Sequence, residues 1–159
     1  MVVSSEWTLT KDVLEPVWRT WFKPQIDLFA TKFSKRLELY VSPVPDPEAW
    51  GVDALSIRWD NLVGYAFPPL ALMEKVLRKA REEGAKMILI APYWPSRPWF
   101  PGLKGLSHLD PLKLRLNQRS LIQPRSGIKH KDPEVLNLHA WMLCGNRCDH
   151  AGHPKQQQT

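Results

Sequence analysis

Cysteine is nearly absent. Cys144 and Cys148 are the only two in 159 residues, which excludes a disulfide-stapled scaffold. No stretch approaches the roughly 20 consecutive apolar residues that cross a bilayer. The opening Met1-Val-Val-Ser-Ser5 lacks the basic start and apolar run of a signal peptide, so no membrane partner and an intracellular location are expected. The eight glycines build neither a Gly-x-Gly-x-x-Gly turn nor a Walker-type phosphate loop, and no Gly-x-Ser-x-Gly elbow occurs. Nucleotide hydrolysis and serine-hydrolase chemistry lose support accordingly.

Eight Trp and fifteen Pro are present, with 43% hydrophobic and 24% charged residues. That composition describes one globular domain whose core includes proline-punctuated loops. The net charge of +6 is uneven. Residues 1–100 carry 13 basic and 12 acidic groups, and residues 101–159 carry 9 and 4. The basic last third favours an anionic partner, nucleic acid first.

Val13, Leu14, Val17, Trp18, Trp21 and Phe22 recur at helical spacing, so a helix is expected over 11–22, with Pro16 kinking it or delaying its start. Gln25–Ala30 reads as a short buried strand that Pro24 places at a sheet edge. Prolines 43, 45 and 47 keep their neighbours extended. Asn61–Phe67 is a second buried strand, stopped by Pro68-Pro69. A helical stripe from Leu70 to Ala80 follows and ends at Gly84, and Lys86–Ala91 is a strand without alternation, buried on both faces. Strand, helix and strand in this order predict a right-handed parallel crossover. Residues 108–131 are basic and weakly patterned, 135–143 suggest a last strand, and 144–159 a disordered tail.

Four groups of residues could carry chemistry. The Phe67-Pro-Pro-Leu70 junction lies where open α/β sheets bind ligands, at the carboxyl end of a strand. Asp27, Asp46 and Asp53 could serve a metal or a ribose hydroxyl, although nothing in their spacing makes them converge. Trp94, Arg97, Trp99 and Phe100 interleave rings with a cation, an arrangement that stacks bases and pairs phosphates or else closes the core. Cys144, Cys148, His150 and His153 offer zinc ligands, but ten residues are too few for the turn that separates the two halves of familiar sites, so no metal is expected. His108, His130 and His139 stand alone, as solvated or core residues.

A longer pattern runs through Glu6-Trp-Thr-Leu9, Asp27-Leu-Phe-Ala-Thr31, Tyr40-Val-Ser-Pro-Val-Pro-Asp-Pro47, Trp50-x-x-Asp53-Ala-Leu55, Tyr65-Ala-Phe-Pro-Pro69, Leu89-Ile-Ala-Pro92, Trp94-Pro95, Pro98-Trp-Phe-Pro101 and Leu138-His-Ala-Trp141. In this order the motifs resemble a segment of the DIRS-type retrotransposon pol polyprotein, between the reverse transcriptase and RNase H domains and the tyrosine recombinase. The segment is in turn more remotely similar to phage-type Dam enzymes, which methylate the exocyclic amine of adenine with S-adenosylmethionine. The resemblance covers residues 6–143. It implies an α/β, Rossmann-like, methyltransferase-type sheet with flanking helices, S-adenosylmethionine as cofactor, and DNA or RNA–DNA intermediates and neighbouring polyprotein domains as partners. A retroelement product of this kind is expected in the nucleus.

The resemblance also implies roles for residues. Asp27 and Ala30 would face the cofactor, and Phe67, Pro68, Pro69 and Leu70 would form the catalytic motif. Trp94 and Trp99 would complete the base pocket, and Trp94, Arg97 and Trp99 would contact nucleic acid. In the Dam family an Asp or Asn and the first proline's carbonyl accept from the target amine, and an aromatic ring stacks on the flipped base. Here Phe67 cannot accept and Leu70 is a poor platform, with Tyr65 and Tyr93 the rings that could substitute. Methyl transfer is expected to be slow or absent. The alternative is a non-enzymatic nucleic-acid-binding or spacer module that links polymerase to recombinase.

Overall fold

The structure is a computed structural model and describes residues 7–145. Among these residues no helix is long and apolar enough to cross a membrane. The strands of the main sheet are β2 (Ile26–Asp27), β3 (Leu39–Ser42), β4 (Gly51–Val52), β5 (Val63–Ala66), β6 (Lys86–Pro92), β7 (Leu112–Lys113) and β9 (Leu138–Cys144). They lie in the order β4-β3-β2-β5-β6-β9-β7. The first five are parallel, and β9 runs antiparallel to both β6 and β7. A separate ribbon pairs β1 (Thr8–Leu9) with β8 (Leu121–Ile122). The chain is therefore an α/β protein with a mostly parallel sheet flanked by helices.

The unalternating Met87–Ala91 run becomes β6, which has every residue after Lys86 buried because strands flank it and packed layers cover both faces. On one face lie α2 (Met73–Glu83) and α3 (Phe100–Leu106), packed with Trp59, Trp99 and Trp141. On the other lies α1 (Lys11–Thr20), with Leu114, Leu116 and Leu121. In α2 the buried stripe is Met73, Val76, Leu77 and Ala80, and Gly84 at φ +67° ends the helix in the left-handed region that lacks a Cβ penalty there. Trp141 on β9 donates its indole N–H to the Ala91 carbonyl on the neighbouring β6 at 3.1 Å.

Several elements differ from the sequence reading. α1 passes through Pro16 and stops at Thr20, because Val13, Leu14 and Val17 anchor the turns on both sides of the lost hydrogen bond. The Asp27 strand is central, between β3 and β5, not at an edge. Pro24 precedes the ladder, and the Gln25 amide already donates to the Val63 carbonyl. Leu70–Leu72 form a 3-10 turn ahead of α2, and Pro133–Leu136 another, closed by Asn137 at φ +50°, so the last strand begins at Leu138. The weakly patterned 108–131 region contributes β7 and β8. Residues 146–159, including Cys148, His150 and His153 of the candidate zinc set, lie outside the described residues.

Candidate functional site

Chain order reverses beside β2, where β3 and β4 extend the sheet one way and β5 and β6 the other. Strand ends diverge at such a switch point and leave a crevice at their carboxyl edge. A cavity of about 740 Å³ occupies that place. The segments that follow β2, β3, β4 and β5 all reach it, through Phe29 and Ala30, Pro43, Asp53, and Phe67 to Leu72, with Pro92 at the end of β6. Its wall is mainly apolar, and its size falls within the range of small-molecule sites.

The structure brings Ala30, Phe67, Pro68, Pro69 and Leu70 together on this cavity. Pro68 is buried, Leu70 is exposed, and the Pro69 carbonyl accepts from the Leu72 amide to start the 3-10 turn. None of the four side chains from Phe67 to Leu70 is a hydrogen-bond acceptor. Tyr65 supplies no substitute ring, since it is buried on the opposite face against Trp18, and neither it nor Tyr93 lines the cavity.

Asp27 does not line the cavity either. It points with Tyr65 toward the α1 side, where its Oδ2 accepts from the Arg36 amide at 2.9 Å. Its Oδ1 has no hydrogen-bond partner. Burial pushes this carboxyl up to about 7, against the opposing pull of the Arg36 and Phe29 amides and the Arg36 guanidinium. Asp27 thus shapes the loop over 31–36 from below.

Trp94, Arg97 and Trp99 also stand apart from the cavity. Trp99 is 8% exposed and packs in the core with Phe100, so it has no free face on which a base could stack. Arg97 lies over the Trp94 ring at 4.6 Å and remains at the surface. Trp99 and Phe100 close the core, because the connection from β6 enters α3 at these two residues and both rings join the cluster that α2 helps to build.

The three candidate carboxylates are dispersed. Asp46 accepts from the Tyr40 hydroxyl at 2.6 Å, whereas Asp53 lies on the cavity. Among the described residues no three metal-ligating side chains converge. Asp53 has φ +61° and ψ 92°, a conformation sparsely populated without glycine, and its carboxylate accepts from the Leu55 amide and the Ser56 hydroxyl. Those bonds hold an anionic acceptor at the cavity edge just past β4.

Trp7, Leu121 and His130 complete the far wall, with the Trp7 and His130 rings edge to face at 5.2 Å. The sequence carries no local signal for this meeting. The β1–β8 ribbon delivers Trp7 and Leu121 from positions more than a hundred residues apart.

Fold and site together define an open-sheet α/β protein with a preformed apolar cavity at its switch point. No family model and no curated protein matches the chain.

Proposed function

We propose that this chain is a methyltransferase-like domain of a DIRS-like retrotransposon polyprotein, and that it binds S-adenosylmethionine in the switch-point cavity with little or no methyl transfer. The observation that carries the reading is the 740 Å³ cavity, with the Phe67-Pro-Pro-Leu70 segment as one wall and the end of β2 as another. Numbered along the chain within the main sheet, the strand order is 3-2-1-4-5-7-6. This is the doubly wound order with one antiparallel strand inserted before the last, an order compatible with a methyltransferase-type sheet.

Ala30 leaves space beside the end of β2, the apolar wall suits a nucleoside, and the Asp53 carboxylate offers an acceptor to hydroxyl or amine donors of the cofactor. Once bound, the cofactor would supply the activated methyl group. The residues needed to direct it are missing, since position 67 offers no acceptor to polarise an amine and position 70 no ring to hold a flipped base.

Ultraviolet crosslinking with radiolabelled S-adenosylmethionine, competed by S-adenosylhomocysteine, tests the proposal. The expected label falls on peptides containing 28–31 or 67–72, and unmethylated DNA in the same tube gains no methyl groups. Label elsewhere, or label that competitor does not displace, would overturn the cofactor reading. Methyl incorporation abolished by Pro68→Ala would overturn the claim that the site is silent.

A further inference from the structure

The positive charge is concentrated in two segments. Residues 31–36 and 117–131 together hold Lys32, Lys35, Arg36, Arg119, Arg125, Lys129 and Lys131 and no acidic residue, while the rest of the chain carries 15 basic and 16 acidic groups. Folding joins these segments. Arg36 Nε donates to the Leu9 carbonyl at 2.7 Å, the Thr8 hydroxyl donates to the Ser34 carbonyl at 3.1 Å, and Thr8 and Leu9 pair with Ile122 and Leu121.

The contact between them is an aromatic one. Phe33 is 47% exposed, with Lys32 Nζ 5.4 Å and Arg125 Cζ 4.9 Å from its ring centre. A ring that engages both cations restricts their motion and so lowers the entropy lost when an anion binds. Lys35 is shared with Glu38 at 3.8 Å, and Lys32 and Lys35 help hold the Asp46 carboxylate low, behind its bond to Tyr40. Lys32, Arg119, Arg125, Lys129 and Lys131 make no salt bridge among the described residues.

The loop itself is firmly built. The Thr31 amide donates to the Ser34 hydroxyl, the Ser34 and Lys35 amides to the Thr31 carbonyl, and the Arg36 amide to Asp27. The two segments also border the cavity, since Thr31 and Ser34 line it on either side of Lys32 and Phe33, as does His130 between Lys129 and Lys131.

We propose that this rim, centred on Lys32, Phe33 and Arg125, is a docking track for single-stranded nucleic acid. The cations take successive phosphates, and the unpaired bases lie toward the adjacent cavity. A single strand fits better than a duplex because its bases are free to turn inward, and the aromatic platform among cations is the arrangement that single-strand binders use. The track does not depend on the cofactor, and it differs from the Trp94–Arg97 surface.

Fluorescence anisotropy of a labelled 20-nucleotide single strand, titrated with the full chain without cofactor at several salt concentrations, is the test. Lys32→Ala with Arg125→Ala is expected to weaken binding about tenfold at moderate salt and to lower the log–log salt slope by about 1.4, two contacts at roughly 0.7 each. Lys104→Ala, an exposed cation on α3 away from the rim, is the surface control and changes neither, and a thermal melt confirms that all variants fold. Wild-type binding by the double variant would overturn the proposal. So would equal loss in Lys104→Ala, tighter binding to a duplex of the same length, or binding to phosphatidylserine vesicles in preference to the strand. Because no cofactor is present, failure here leaves the crosslinking result untouched.

Discussion

Replacing Asp27 by asparagine should stabilise the protein at pH 8 and remove much of its pH dependence. Asp27 is 2% exposed, and of its two oxygens only Oδ2 has a hydrogen-bond partner. Tyr65, opposite it in the β2–β5 register, has a buried hydroxyl that is also without a partner. Burial raises the Asp27 carboxyl from 3.8 to about 7, so the folded state binds a proton that the unfolded state has already released. Between those values the folded state holds more protons, and stability falls as pH rises. The favourable contribution is complete below about pH 4, declines through pH 7 and is gone above it. About 3 pH units at 1.36 kcal/mol each amount to about 4 kcal/mol, a large share of a typical domain's stability. Asparagine keeps an acceptor for the Arg36 amide and carries no charge. Urea unfolding of both proteins at intervals from pH 4.5 to 8.5 is the assay. The wild-type curve should fall relative to the variant's with a slope near 1.36 kcal/mol per pH unit around pH 5.5, flattening above about pH 7. Parallel curves, or a variant less stable than wild type at pH 8, would refute the reasoning, because Asp27 would then be solvated or paired as a carboxylate.

Three further substitutions probe packing. A Cβ on Gly145 would lie 2.3 Å from the Gly84 Cα, backbone against backbone where β9 meets the end of α2, so Gly145→Ala should cost about 3 kcal/mol and lower Tm in a thermal melt. A Cβ on Gly64 would lie 2.8 Å from Leu28 Cδ1, the end of a side chain that lines the cavity. Gly64→Ala should therefore cost only about 1 kcal/mol in denaturant unfolding but displace Leu28 and weaken S-adenosylmethionine binding. Trp141→Phe deprives the buried Ala91 carbonyl of its indole donor and should cost about 1–3 kcal/mol, read as a shift in the urea midpoint at constant m-value.

The elements that can be read from sequence are those whose signal is local. The Met87–Ala91 run, the Met73–Ala80 stripe and Gly84 appear as strand, helix and stop because each pattern is complete within a few turns. The position of Phe67-Pro-Pro-Leu70 at a strand's carboxyl end is legible for the same reason, and the cavity lies there. The central place of β2 is not legible, since Pro24 also fits an edge and only the pairing with β3 and β5 decides. Two-residue strands such as β4, β7 and β8 are too short to show a period. Trp99 illustrates the ambiguity of large aromatics, because the same loop composition serves a binding surface or a core and only its packing on α2 separates them. The Trp7–His130 wall and the Phe33–Arg125 contact arise from tertiary closure, with partners about 123 and 92 residues apart that no local spacing rule connects.

The most direct measurement of the central claim is calorimetric titration of the full chain with S-adenosylmethionine at two temperatures. The account predicts one site of micromolar affinity with a negative heat-capacity change, the mark of apolar surface buried in a preformed pocket. No binding heat at either temperature, from protein that unfolds cooperatively in urea, would contradict it.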